Sequence, residues 1–389
     1  MSLSFDDLTP DQLREQGWKK WTEYPGATGA WIAEMDFGTA PAVQQVLHRA
    51  ADGDGLGYLS SNRLRALQDS ITRFLADRYR WTVATGDIRP VSDVLTAFEA
   101  AVRLSEPGSP IILPTPAYMP FLTIPQLLDR EIIQVPLACT DGYYSYDLDA
   151  LDAAFAAGGR LLVLCNPHNP VGRVLHRTEL QAISEVVYRH GGRVFADEIH
   201  APLRYPGHEH IPYASISAIT AAHTLTAISA SKAFNLPGLK CAQVVLSNDP
   251  DRQAWNRVGP LLEDQASTLG ALAATAAYSE GGPWLAQVLE YLDGNRQALA
   301  LALQEHLPHV RYRVPEGTYL AWLDFRRAGA GGAALADPAA LLRQHADIVA
   351  TPGQLCGEAG QGFLRLNFAT SRPILIDLVR RMAAAIRAR

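Results

Sequence analysis

Ile228-Ser229-Ala230-Ser231-Lys232-Ala233-Phe234-Asn235-Leu236-Pro237-Gly238-Leu239-Lys240 places one lysine, Lys232, among small residues directly after an apolar run that begins at His223. A collar of small side chains lets a bulky ligand approach the ammonium. Desolvation lowers an ammonium pKa from its usual ~10.4, which makes the amine a usable nucleophile and base. Taken alone, a lysine between serines reads as an ordinary solvated loop residue, so the assignment rests on what accompanies it.

Two stretches accompany it. Leu161-Leu162-Val163-Leu164-Cys165-Asn166-Pro167-His168-Asn169-Pro170-Val171-Gly172 is a buried-strand run that breaks into Asn/Pro turn chemistry. Further on, Gly192-Arg193-Val194-Phe195-Ala196-Asp197-Glu198-Ile199-His200 reads as a second strand that ends on a carboxylate. From Glu131 to Leu246 such strands alternate with helical patterns, for example Thr178 to His190, which indicates βαβ units and a largely parallel sheet. Ligands of open parallel sheets sit beyond the carboxyl ends of the strands, so Asn169, Asp197 and Lys232 are expected to converge there.

The ordered set Asn-Pro-x-Asn-Pro, Asp-x-x-His, Ser-x-Ser-Lys and a cation eight residues later resembles the fold-type I pyridoxal-phosphate enzymes of the class I/II aminotransferase superfamily. The variants Asn-Pro-His-Asn-Pro, Asp-Glu-Ile-His and Ser-Lys-Ala-Phe-Asn-Leu-Pro-Gly-Leu-Lys resemble more narrowly the MalY/PatB-type cystathionine β-lyases, or C-S lyases, and the likeness runs from about Trp18 to the C-terminus. The resemblance implies an α/β fold: a large domain around a mostly parallel seven-stranded sheet and a smaller α+β C-terminal domain. It divides the chain into an N-terminal arm (1–40), a large cofactor-binding domain (41–282) and a small domain (283–389).

Pyridoxal 5'-phosphate is the cofactor that this resemblance implies. Lys232 would carry it covalently, Asp197 would pair with the pyridine nitrogen and Asn169 would bond the ring oxygen. Ser229, Ser231, Lys240 and the backbone amides of Val94 and Leu95 would hold the phosphate. Most aminotransferases have tyrosine where this chain has His200, which alters how the ring oxygen is polarised. Tyr118, at the tip of the turn after Ile111-Ile112-Leu113-Pro114-Thr115-Pro116, is the implied ring-stacking residue. The likeness places Tyr58, after the Gly-rich Gly53-Asp54-Gly55-Leu56-Gly57, across a dimer interface at the partner's cofactor, so a homodimer with shared sites is expected.

Phe363-Leu364-Arg365-Leu366-Asn367-Phe368 sets an arginine between apolar residues, where a guanidinium needs a partner. A structural ion pair is the plain reading; the resemblance instead makes Arg365 the grip on the substrate α-carboxylate. Ala30-Trp31-Ile32-Ala33-Glu34-Met35-Asp36-Phe37-Gly38 alternates apolar and acidic letters and reads as a short strand packed on the core or, by the resemblance, as an active-site arm that brings Trp31 to the substrate.

Other segments are plainer. Pro41 to Ala51 is expected to be a helix capped by Thr39, and Leu64 to Ile71 lies in an amphipathic helix. Val94 to Val102 begins another, whose first-turn amides have no intrahelical partners and favour an anion. Helical periodicity spans Asp249 to Tyr278, Gly281-Gly282-Pro283 breaks it, and Trp284 to His306 forms one long helix. Tyr319 to Asp324 reads as a strand, and Ala328 to Gly332 as a loop.

With 389 residues, 48% hydrophobic and 19% charged, the chain is ample for a large core. A formal charge of −6 with scattered Lys and Arg gives no field for nucleic acid. Cys139, Cys165, Cys241 and Cys356 lie far apart without metal-ligand spacing and read as reduced thiols. No signal-like N-terminus and no apolar run of membrane length is present, so a cytoplasmic location, without membrane, is expected.

Three functions follow from the resemblance. Removal of a substrate α-proton is common to the superfamily; a thiolate on the β-carbon then leaves, and the resulting aminoacrylate hydrolyses to pyruvate and ammonia. Without such a leaving group, transamination follows. The alternatives to a C-S β-lyase acting on cystathionine or a related cysteine S-conjugate are therefore an aminotransferase and a regulatory protein that uses the fold as a scaffold.

Overall fold

The computed structural model describes residues 5–329, 332–335 and 337–388. Seven strands form the main sheet: β1 (Ile88–Val91), β2 (Ile111–Thr115), β3 (Ile132–Pro136), β4 (Leu161–Cys165), β5 (Arg193–Asp197), β6 (Thr224–Ile228) and β7 (Ala242–Leu246). Their spatial order is β1-β7-β6-β5-β4-β2-β3. Every neighbouring pair from β6 across to β3 is parallel, whereas β7 runs antiparallel to both β6 and β1. All residues of β2, β4, β6 and β7 are buried. Helices cover both faces, which is why these strands read as unbroken apolar runs instead of alternating ones.

Chemistry gathers at one edge because of this topology. The parallel strands β2, β4, β5 and β6 end there, at Thr115, Cys165, Asp197 and Ile228, and antiparallel β7 starts there. β1 leads at the same edge into α1 (Val94–Leu104), whose N-cap Asp93 accepts from the Thr96 amide at 2.9 Å. That cap leaves the Val94 and Leu95 amides outside the helical ladder.

A second sheet is antiparallel: Arg311–Tyr312, β8 (Leu320–Asp324), β9 (Phe363–Asn367) and Thr351–Pro352, in that spatial order. The helix Gly282–His306 packs against Arg372–Arg387 beside it. Trp322 on β8 faces Arg365 on β9 in register. One buried cluster runs from Leu67 and Ile71 through Ala273 and Leu292 to Leu366 and Leu378, so both sheets share a continuous core.

Several local expectations change. Residues 30–38 are not a strand; only Thr28–Gly29 pairs, in parallel with Ile348–Val349. Several of the segment's carbonyls go to side chains instead: Asn367 Nδ2 donates to the Ile32 and Glu34 carbonyls (2.7 and 2.6 Å), and Asn235 Nδ2 to the Met35 and Gly38 carbonyls (2.9 and 3.1 Å). Its acidic letter Asp36 is buried in an ion pair with Lys20 at 3.0 Å, bonded also by the Trp21 indole. Thr39 does not cap the following helix, Pro41–Arg49. Ala40 holds the N-cap position, and the Thr39 hydroxyl donates to the Phe234 carbonyl at 2.6 Å. The periodic text from Asp249 divides into Asp249–Glu263 and Thr268–Glu280, with Ser267 capping the second helix. Of the expected loop at Ala328 to Gly332, Ala330 and Gly331 lie outside the described residues.

Candidate active site

A cavity of about 410 Å³ opens at the carboxyl edge of the main sheet. Into it the strand ends deliver Asn169 after β4, Asp197 and His200 at and after β5, and Ser229, Ser231 and Lys232 after β6. The N-terminus of α1 contributes Asp93, Val94 and Leu95, the turn after β2 contributes Tyr118, and Lys240 precedes β7. From the second sheet comes Arg365, and from the N-terminal segment Trp31, Ile32 and Ala33. Twelve of the thirteen residues singled out in the sequence meet here. Tyr58 does not: its side chain is 100% exposed in the single chain.

The charged groups are arranged unevenly. Asp197 is buried and, among the described residues, has no cationic hydrogen-bond partner; its oxygens accept from the Ile199 amide at 3.2 Å and from the Cys165 thiol at 3.6 Å. Burial pushes its carboxyl up to about 6. The Lys232 ammonium donates to the Ala33 carbonyl at 2.8 Å, and burial together with Arg365 lowers the amine to about 8. His200 is buried, its ring edge-on to Tyr319 with centroids 6.0 Å apart, and burial holds it neutral with its pKa lowered to about 3. Its Nδ1 has no hydrogen-bond partner among the described residues.

The ion pair that the plain reading of Arg365 expects is absent among the described residues. Only 2% exposed, Arg365 donates to Asn169 Oδ1 (3.2 Å), the Trp31 carbonyl (2.8 Å) and the Thr351 hydroxyl (3.1 Å), all neutral acceptors, while its Nε has no partner among the described residues. Among the described residues no carboxylate pairs with it. A buried guanidinium held by neutral groups keeps its charge available for an incoming anion.

At the other end of the cavity, Lys240 pairs with Asp93 at 2.8 Å next to the free amides of α1. Lys240 takes a left-handed backbone (φ 49°), which turns the chain from the short 3-10 turn Pro237–Leu239 into β7. The Ser229 hydroxyl donates to the Cys241 carbonyl at 3.0 Å and accepts from the Ser231 amide at 3.1 Å, so it shapes the loop that presents Lys232. Tyr118 lies edge-on to Phe121, centroids 5.7 Å apart, with its other side toward the cavity. The Trp31 indole is turned back to the Lys20 carbonyl (3.3 Å) and to the edge of Tyr24, and so forms a side wall.

Sequence reading missed Asp93, Cys165, Ala33 and Tyr319. Asp93 carried a signal, an aspartate directly before a helix. Nothing local marks the other three, whose roles arise from contacts across the fold. Among the described residues no cluster of ligating side chains suits a metal ion.

Residues 32–381 match the family model described as aminotransferase class I and II. The chain is 34% identical to a cystathionine beta-lyase of Corynebacterium glutamicum, over 99% of this chain and 100% of that protein. It is also 34% identical to the cystathionine beta-lyase PatB of Bacillus subtilis, over 95% and 96%. The crystal structure of cystalysin from Treponema denticola, which contains pyridoxal 5'-phosphate, superposes with a TM-score of 0.91 at 28% identity, covering 99% of this chain and 100% of that one.

Proposed function

The chain belongs to the aminotransferase class I and II family, and we propose that it is a pyridoxal-phosphate-dependent C-S β-lyase that cleaves cystathionine or a related cysteine S-conjugate to a thiol, pyruvate and ammonia. The observation that carries this reading is one cavity in which a lysine of lowered pKa, an unpaired buried guanidinium and an unpaired buried carboxylate face the same space.

Pyridoxal phosphate fits that donor set. Asp197 would pair with a protonated ring nitrogen, the cation it lacks among the described residues, and Asn169 and the neutral imidazole of His200 would serve the ring hydroxyl oxygen. The phosphate suits the α1 amides of Val94 and Leu95 with Ser231 and Lys240. Ser229 holds their loop, and Tyr118 would cover a face of the ring. Bound there, the cofactor supplies an electron sink for the charge left when a substrate α-proton is removed.

The chain's own groups do the rest. Arg365 takes the α-carboxylate, with Asn169 and the Trp31 carbonyl fixing the guanidinium plane. That anchor sets the amino acid's orientation, so that its α-proton points to Lys232. With a pKa of about 8, the Lys232 amine is partly unprotonated near neutral pH and takes the proton. It then returns a proton to the departing sulfur. Ile32, Met119 and Ile199 line the cavity with apolar surface that limits water around the leaving group.

We read residues 1–40 as an arm that joins a small domain (283–389), and 41–282 as the cofactor-binding domain. The pairing of Thr28–Gly29 with Ile348–Val349 and the span of the second sheet support this division. A homodimer accounts for Tyr58, whose aromatic ring is otherwise fully exposed beside Leu56, itself 76% exposed. A cytoplasmic location agrees with four unpaired cysteines; among the described residues no helix is long and apolar enough to cross a membrane.

Pyruvate release from cystathionine, S-alkyl cysteines and cysteine tests the activity. Borohydride reduction followed by peptide mapping should leave the covalent adduct on Lys232, and an adduct on another lysine overturns the site.

A further inference from the structure

The Ala33 carbonyl accepts two side-chain hydrogen bonds, from Lys232 Nζ at 2.8 Å and from the Tyr319 hydroxyl at 2.9 Å. Tyr319 is fully buried just before β8, and in the site described above it serves only as the edge-on neighbour of His200. The carbonyl is also held from behind. One side-chain amide, Asn367 Nδ2, binds the carbonyls on either side of it, Ile32 and Glu34, and Asn235 binds the backbone of Met35. Ala33 O is therefore a fixed acceptor, presented among the described residues to two side-chain donors from different parts of the fold.

We propose that Tyr319 is a positioning residue for the reactive amine, acting through the Ala33 carbonyl: its hydroxyl occupies one lone pair and so weakens the grip of that oxygen on the Lys232 ammonium. The inference rests on Lys232 being the reactive amine. A carbonyl oxygen has two acceptor sites, and a donor on one draws electron density from the other. The ammonium form of Lys232 makes a charge-assisted bond to this oxygen and the neutral amine a weaker one, so a stronger acceptor keeps the proton on and a weaker one releases it. Burial keeps the Tyr319 phenol well above its ordinary range, so it remains a donor.

The other charges that face Lys232 act in known directions. Arg365 on β9 lowers its pKa, while Glu34 on the N-terminal segment and Asp197 at the end of β5 raise it, and His200 stays neutral. None of them touches Ala33 O. The hydroxyl thus adjusts the amine without adding a charge to the cavity, where a charge would also disturb Asp197 and Arg365.

The test measures the Lys232 titration directly, in the full-length chain freed of cofactor, by competitive acetylation across a pH series with mass spectrometry of the Lys232 peptide. The native chain should show a midpoint near 8. Tyr319→Phe should raise it by about half a unit or more, a roughly threefold loss of free amine below the midpoint. Tyr205→Phe is the control, because that buried hydroxyl donates at 2.6 Å to the Thr318 carbonyl, one residue away, and does not touch Ala33. It should leave the midpoint in place. Thermal melting checks that each variant is folded. Should Tyr319→Phe not fold, 3-fluorotyrosine at position 319 retains the hydroxyl as a stronger donor and should lower the midpoint. An unchanged or lowered midpoint in Tyr319→Phe, an equal shift in Tyr205→Phe, or no lowering with fluorotyrosine overturns the proposal. None of these readouts requires turnover, so failure of the lyase reading remains distinguishable.

Discussion

The Arg365 guanidinium donates to the Asn169 side-chain oxygen across 3.2 Å, and this bond ties β9 of the second sheet to the turn that leaves β4 of the main sheet. Two residues 196 positions apart in sequence thus form one wall of the cavity. In the proposed reading Asn169 bonds the cofactor ring and Arg365 the substrate carboxylate, and the bond between them would fix the angle between the two ligands.

Arg365→Ala should therefore damage substrate binding more than cofactor binding. Each charge-assisted hydrogen bond to a carboxylate contributes about 1.5–3 kcal/mol, so loss of one raises KM roughly 10- to 100-fold. Steady-state kinetics alongside a pyridoxal-phosphate titration separates the effects. A KM unchanged from the native value would remove Arg365 from the carboxylate site.

Asp197→Asn should stabilise the cofactor-free chain while abolishing most activity. The folded carboxyl titrates at about 6 instead of 3.8, because burial disfavours the charge. The folded chain consequently holds this proton more tightly than the unfolded chain. Stability from this group is full below 3.8 and is lost as pH rises through 6. At pH 7 the buried charge costs about 3 kcal/mol, and the neutral amide avoids it. Denaturation midpoints of both proteins at pH 7 and below pH 4 check this: the variant's advantage should shrink in acid.

Tyr58→Phe mixed with Lys232→Ala should recover activity that neither variant has alone. In a dimer with shared sites, half of the hybrid's sites draw Lys232 from one subunit and Tyr58 from the other. Sedimentation analysis with activity assays on the mixture reads the result. A fully active monomer would contradict shared sites.

Much of this was legible in the sequence because β4, β5 and β6 are covered on both faces. Such strands are written as continuous apolar runs, and each ends on the polar letter that enters the cavity: Asn166 leading to Asn169, Asp197, and Ser229 leading to Lys232. Arg365 stood out because a guanidinium amid Leu364 and Leu366 demands an explanation, but the neutrality of its partners depends on Trp31, Asn169 and Thr351, which no local pattern connects to it. The segment 30–38 misled for the opposite reason. Its alternation imitates a strand, yet Asn235 and Asn367 take the backbone bonds that a neighbouring strand would have made. Ala33 carries no side-chain signal at all, since its carbonyl is what acts.

The most direct test of the central claim is the fate of cystathionine with the pyridoxal-phosphate-loaded protein and no keto acid added. The account predicts continuous release of thiol, pyruvate and ammonia in equal amounts over many turnovers, lost in Lys232→Ala. Turnover that stops after one equivalent and resumes only when a keto acid is supplied, with no thiol formed from cystathionine or any cysteine S-conjugate, would contradict it.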